Sequence, residues 1–327
     1  MAAEVETMAY FGETPWHGMG SVLSESDRTN WELVCEKSGL NWEVEKVPLF
    51  TRETVVNNGI EDSYNLPVDD QFLVRRQTDK QQYGVLGNNF TILQNRDAFK
   101  WFQPWIESGL AKFETAGSLK QGAIVWAMAE IVGLQADVVP GDTITQRILL
   151  SNSHNGVQAV RGGFVQDRVV CRNTLNSAHN SKASKLLRVK HSRHLADNML
   201  TLQRSMDVVR QEFSANMEVY RKLARTGFYR DDVVKLVKKI VLDNDGSEKL
   251  STRSENILEE ILDSVRNSPG ADAAPNTAWS AYNGVNYYLL YQSGTKVDKS
   301  NRLYSAWFGT NKNKDQNLLN ALVDMSA

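Results

Sequence analysis

The sequence predicts an α+β fold: an antiparallel β-rich core with flanking helices over residues 1–193, then a mostly helical C-terminal region over 194–327 with one long helix. Three observations predict it. Short apolar runs bounded by Gly, Asn and Asp fill the first half. An apolar stripe spaced by three and four residues begins at Leu195, and helical spacing then persists to the end. Strands and helices are segregated along the chain and do not alternate, which argues against a doubly wound parallel sheet.

Each element has its own warrant. Residues 42–50 alternate loosely, and residues 71–78 and 83–86 form a hairpin around Thr78-Asp79-Lys80. Asn95 is the expected N-cap of a helix over residues 96–106, with Phe99, Phe102 and Ile106 on one face. Strands follow at 111–116, 123–131, 146–152, 158–164 and 168–170, interrupted by Asn155-Gly156 and Gly162-Gly163. Asn155-Gly156 suits a hairpin turn because both residues tolerate positive φ. A short helix over 173–179 and a short strand over 186–190 come next. Leu195, Met199, Leu202, Met206, Val209, Phe213, Met217, Tyr220 and Leu223 then form one stripe about eight turns long. Further helices are expected at 230–242, 253–266, 277–291 and 314–325, with a loop at 268–275.

A chain of 327 residues is long enough for two domains and a sizeable core, and 41% hydrophobic with 23% charged residues is ordinary for a soluble globular protein. No apolar stretch reaches the roughly 20 residues of a membrane span. The acidic start, Met1-Ala2-Ala3-Glu4-Val5-Glu6, lacks the basic and apolar regions of a signal peptide. Cys35 and Cys171 give no disulfide framework, which fits a reducing cytoplasm.

Charge is segregated although the net is only -2. The first 143 residues hold 11 Lys/Arg against 21 Asp/Glu; residues 144–196 hold nine against the single acid Asp167, and four of the five histidines. Such a stretch suits a polyanion, with nucleic acid the leading candidate. The expected phosphate contacts are Arg161, Arg168, Arg172, Lys182, Lys185, Arg188, Lys190, Arg193 and His154. The competing reading is a solvated face that balances the acidic N-terminal part or a neighbouring subunit.

Motifs for chemistry are sparse. Gly84-Val85-Leu86-Gly87 lacks GxGxxG spacing, and there is no phosphate-loop lysine, HExxH or GxSxG. His191 and His194 would share a face only on a helix, without the tighter Cys/His clustering of zinc sites. Asp69-Asp70 and Asp231-Asp232 read as solvated pairs. The aromatics Trp279, Tyr282, Tyr287, Tyr288 and Tyr291 fit core packing better than base stacking. The expectation is a protein that is not an enzyme and needs no cofactor or metal.

Several blocks also carry a resemblance: Trp16-His17-Gly18-Met19-Gly20; Gly84-Val85-Leu86-Gly87 with Gln94-Asn95; Ala116-Gly117-Ser118 to Trp126; Ser153-His154-Asn155-Gly156; Arg168-Val169-Val170-Cys171-Arg172-Asn173-Thr174-Leu175; Asn276-Thr277-Ala278-Trp279; and Trp307-Phe308-Gly309. In these the chain resembles a phage/plasmid-like uncharacterised protein family over nearly its whole length. Asn155 departs from that family's usual Asp, which weakens a metal-binding His-Asp pair. The family is distantly similar to phage single-strand annealing proteins, which have a β-β-β-α core and form rings or helices on DNA. The resemblance implies ATP-independent binding and annealing of single-stranded DNA in phage or plasmid recombination. It further implies a homo-oligomer, ring or filament, in the bacterial host cytoplasm, with no membrane partner. The alternatives are a phage protein-interaction module or host-defence inhibitor, and a metal-dependent nuclease using His154.

Overall fold

A computed structural model describes residues 5–12, 20–58, 60–168, 173–175, 188–192, 206–244, 249–293, 305 and 309–326. The fold is mixed α and β, with antiparallel sheets and with most helices in the C-terminal half. The main sheet has eight strands. Its spatial order is β10 (Asn173–Leu175), β9 (Val160–Arg168), β8 (Thr143–Ser153), β7 (Ile124–Asp137), β6 (Ala111–Leu119), β1 (Val5–Tyr10) and β2 (Ser21–Val22). The short β11 (Arg188–Val189) joins the same edge of β9 as β10. All pairs are antiparallel except β1 with β2.

The period-two rule sorts the side chains of β7 between two cores. Val125, Ala127 and Ala129 pack in a cluster with Phe99, Phe102, Trp105 and Phe113 beneath α1 (Trp31–Lys37), α2 (Asn95–Lys100) and α3 (Gln103–Glu107). Ile124, Trp126 and Met128 pack on the other side with Met8, Tyr10 and Leu149. A second sheet of three strands, β3 (Val44–Asn57), β4 (Ile60–Arg76) and β5 (Gln82–Gly87), continues past the body as a ribbon of β3 and β4 alone.

The C-terminal helices are α4 (Met206–Arg225), α5 (Arg230–Ile240), α6 (Thr252–Asn267), α7 (Ala278–Tyr287, extended by a π turn, Tyr288–Gln292) and α8 (Thr310–Met325). They bury Phe213, Met217, Tyr220, Leu236, Ile261, Trp279, Tyr282 and Leu318 in one cluster that also takes Ile144 from β8 and Val138 from the turn after β7. Trp279 and Tyr282 are fully buried, as their shared helix face predicts. Of the expected stripe, Val209, Phe213, Met217, Tyr220 and Leu223 are buried along α4; its first part lies outside the described residues. No helix among the described residues is long and apolar enough to cross a membrane.

Several sequence expectations are corrected. Gln94, not Asn95, caps α2, because the Asn95 side chain is drawn inward to the carbonyls of Leu40 and Trp42. The single helix over 96–106 is two short helices, parted at Trp101-Phe102 where Pro104 starts the second. Gly162-Gly163 does not break a strand: both residues pair with β8, opposite Leu150 and Leu149. Residues 173–175 are a strand paired to β9 and not the start of a helix. Asn155-Gly156 does lie in the β8–β9 turn, with Gly156 at φ +70°. Residues 51–57 and 60–70 are strand, although no expectation covered them.

Candidate nucleic-acid interface

The β-edge made by β9 and β11 gathers positive charge. Arg161 stands directly opposite Arg188 in the antiparallel register. Lys312 in the first turn of α8 lies near the same point. Its ammonium pKa is held below the ordinary lysine range by desolvation first and by the Arg161 guanidinium second. Lys190 follows β11 and is exposed. His191 anchors this segment: its Nδ1 donates to the Thr91 carbonyl at 2.8 Å, and its ring stacks on Phe90 at 4.6 Å.

Two candidates from the sequence do not belong to an exposed track. Arg168 is 1% exposed, and its Nε and Nη2 donate to the Asp142 carboxylate at 2.6 and 2.7 Å. It also donates to the carbonyls of Pro269 and Gly270 at 3.2 and 2.8 Å, so a phosphate has no access to it. His154 is fully buried. Arg147, in the same basic stretch, is turned inward to Glu114 and Asp167. Arg172, Lys182, Lys185 and Arg193 lie outside the described residues, as does the side chain of Arg188. Composition counts charges without regard to burial, so it could not separate these groups. Lys312 was missed because only tertiary packing brings it to β9.

His154 instead joins the motif blocks. Its Nε2 donates to Asn95 Oδ1 at 2.9 Å, and Asn95 Nδ2 donates to the Leu40 carbonyl at 3.1 Å, which fixes the amide and hence the tautomer. The imidazole stacks on Tyr83 at 5.7 Å and lies 5.4 Å from Trp42, over which Arg76 sits at 4.6 Å. Burial, then the charges of His191 and Arg76, push its pKa down to about 3. The unfolded chain takes up this proton near the ordinary value of 6.5, and the folded chain refuses it until about 3. Stability is therefore complete above pH 6.5 and falls as pH drops through that window. We expect His154 alone to remove about 2 kcal/mol by pH 5. Urea unfolding at pH 7.5 and pH 5 checks this: His154→Asn should flatten the difference, and an equally steep loss in that variant would exclude His154 as its source.

Among the described residues no group of three or more His, Cys, Asp or Glu side chains could hold a metal ion. Cys35 is a free thiol whose pKa burial raises to about 12, and Cys171 lies outside the described residues. Fold and site together define an α+β protein with a cation-gathering sheet edge and a buried histidine joint. The chain belongs to the family described as Domain of unknown function (DUF932), whose profile matches residues 82–307. That span takes in Tyr83, Asn95 and His154 of the joint, the β9–β11 edge and most of the helical region, whereas Leu40, Trp42 and Arg76 lie before it. No curated protein and no solved structure matches the chain.

Proposed function

We propose that the chain binds single-stranded DNA as a homo-oligomer and anneals complementary strands without nucleotide hydrolysis, in phage or plasmid recombination within the bacterial cytoplasm. The observation that carries this reading is the register that sets Arg161 opposite Arg188 at one sheet edge, with Lys312 near Arg161. A phosphate backbone would be drawn to such a field, which the exposed Lys190 continues. The concentration of Lys/Arg in residues 144–196 supports it, and it is what the resemblance read in the sequence blocks implies. Annealing needs the backbone held and the bases free, which phosphate contacts provide. Arg161, Lys190 and Lys312 act as contacts, with Arg172, Lys182, Lys185, Arg188 and Arg193 extending the track. Arg168 and His154 hold the scaffold.

Fluorescence anisotropy with labelled oligonucleotides across a salt series tests the proposal. Eight phosphate contacts to a single strand would give a log–log salt slope of about -5.6. Arg161→Glu with Lys312→Glu should weaken binding about tenfold or more and reduce that slope. Absent or salt-insensitive binding would sink the reading. A second reading, a protein-interaction module or host-defence inhibitor, is favoured by the exposed apolar ribbon of β3 and β4. It would stand if a protein partner bound and oligonucleotides did not.

A further inference from the structure

The β3–β4 ribbon has two unlike faces. Cross-strand partners lie on the same face of an antiparallel pair, so the register assigns them. One face carries the rows Leu49 and Val68, Thr51 and Leu66, Glu53 and Tyr64, Val55 and Asp62, and Asn57 and Ile60. The other carries Arg52 and Asn65, Thr54 and Ser63, and Val56 and Glu61, with Phe50 and Pro67 near the body. The first face is thus an apolar strip about 27 Å long at strand rise. Ile60 is 65% exposed, Tyr64 49%, Leu66 44% and Val55 38%. A two-stranded hairpin alone in water is marginally stable, and its open edges invite pairing. The only charged residues of the first face are the acids Glu53 and Asp62, for which no ion pair forms among the described residues.

A complementary surface lies on the helical region. Between α5 and α6 is a cavity of about 370 Å³ whose lining includes the apolar Phe228, Val233, Leu262 and Val265. Arg230 and Arg266 also line it, with Asp272 as the one acid among the lining residues. Arg230 pairs with Glu259 at 3.1 Å, whereas Arg266 is exposed and makes no ion pair among the described residues. A lining of apolar residues with two arginines against one acid matches an apolar strip that carries two acids. Two ribbons packed face to face would instead bring Glu53 and Asp62 against their own kind.

We propose that the ribbon is the joint between copies of this chain: its apolar face, led by Tyr64 and Leu66, seats on the α5–α6 cavity of a second copy, with Glu53 and Asp62 toward Arg266. The contact is head-to-tail, so each copy offers one ribbon and one cavity, and repetition gives a ring or an open filament. This deepens the oligomer of the proposed function and rests on that reading for the expectation of self-association.

Sedimentation velocity on the full chain, without nucleic acid, tests it and leaves DNA binding to its own assay. The wild type should assemble beyond a dimer. Tyr64→Ser with Leu66→Ser should be monomeric, with circular dichroism unchanged because both residues are exposed. Arg266→Glu should weaken assembly about tenfold or more, and Glu53→Lys added to it should recover most of the loss. Mixing the Tyr64→Ser, Leu66→Ser variant with the Arg266→Glu, Val265→Asp variant should give a dimer that grows no further, since one good ribbon meets one good cavity only if the partners are swapped correctly; here the intact ribbon of the second seats on the intact cavity of the first. A monomeric wild type would overturn the proposal. So would assembly that the ribbon variants abolish and the cavity variants leave intact, which would mean ribbon-on-ribbon contact.

Discussion

Asp142→Ala is expected to destabilise the chain by about 3–5 kcal/mol, because it strands a buried guanidinium. Asp142 is fully buried, Arg168 is 1% exposed, and two parallel N–H donors of the arginine meet its carboxylate. The same carboxylate accepts from Trp279 Nε1 at 2.8 Å. Removing it therefore takes the acceptor from three N–H bonds, two of Arg168 and one of Trp279, whereas Asp142→Asn keeps one acceptor oxygen and should cost less. The pair ties the end of β9 to the loop at Pro269 and Gly270 and, through Trp279, to α7. Near-ultraviolet circular dichroism from Trp279 should thus fade at lower denaturant than in the wild type. A chemical-denaturation loss under about 1 kcal/mol would show that this pair is not the buried tie described.

The same residues show what could be read from sequence. Segregated strands and helices were legible because period-two and period-3.6 patterns need no tertiary information. Trp279 and Tyr282 were legible as core for that reason. The ribbon was not: Glu, Asp, Asn and Thr break the apolar alternation of its strands, so the hairpin dipeptide Asn58-Gly59, with Asn58 at φ +52°, stands without clear flanking strand patterns. Asn95 looked like a cap because its type favours caps, yet tertiary bonds to Leu40 and His154 claim its side chain. Both halves of that joint are motif residues, but sequence gives no distance between positions 95 and 154.

The basic stretch divides along the same line. Arg147 and Arg168 turn to acids within the chain, while Arg161 and Lys190 sit on the edge beside β11. A charge run therefore supplies both scaffold and candidate contacts, and burial decides which. For Arg168 the deciding fact is an acid 26 positions away, Asp142, invisible to any count over residues 144–196.

Gly284→Ala should be destabilising by about 2–3 kcal/mol, although helix propensity alone predicts a gain near 1 kcal/mol. Gly284 lies within α7, where α6 crosses so closely that a Cβ would stand 2.3 Å from Val265 Cα and 2.6 Å from Val265 N. These are backbone atoms, so no rotamer change relieves the clash, and the helices must separate. Separation would loosen Ile261, Leu262, Tyr282 and Val285 in the shared cluster. Adding Val265→Ala removes only the Cγ2 contact at 2.6 Å and should recover a minor part of the loss. Thermal and urea unfolding of the single and double variants measure both effects. A stabilised Gly284→Ala would mean that α6 and α7 do not meet at this glycine, since intrinsic propensity would then act unopposed.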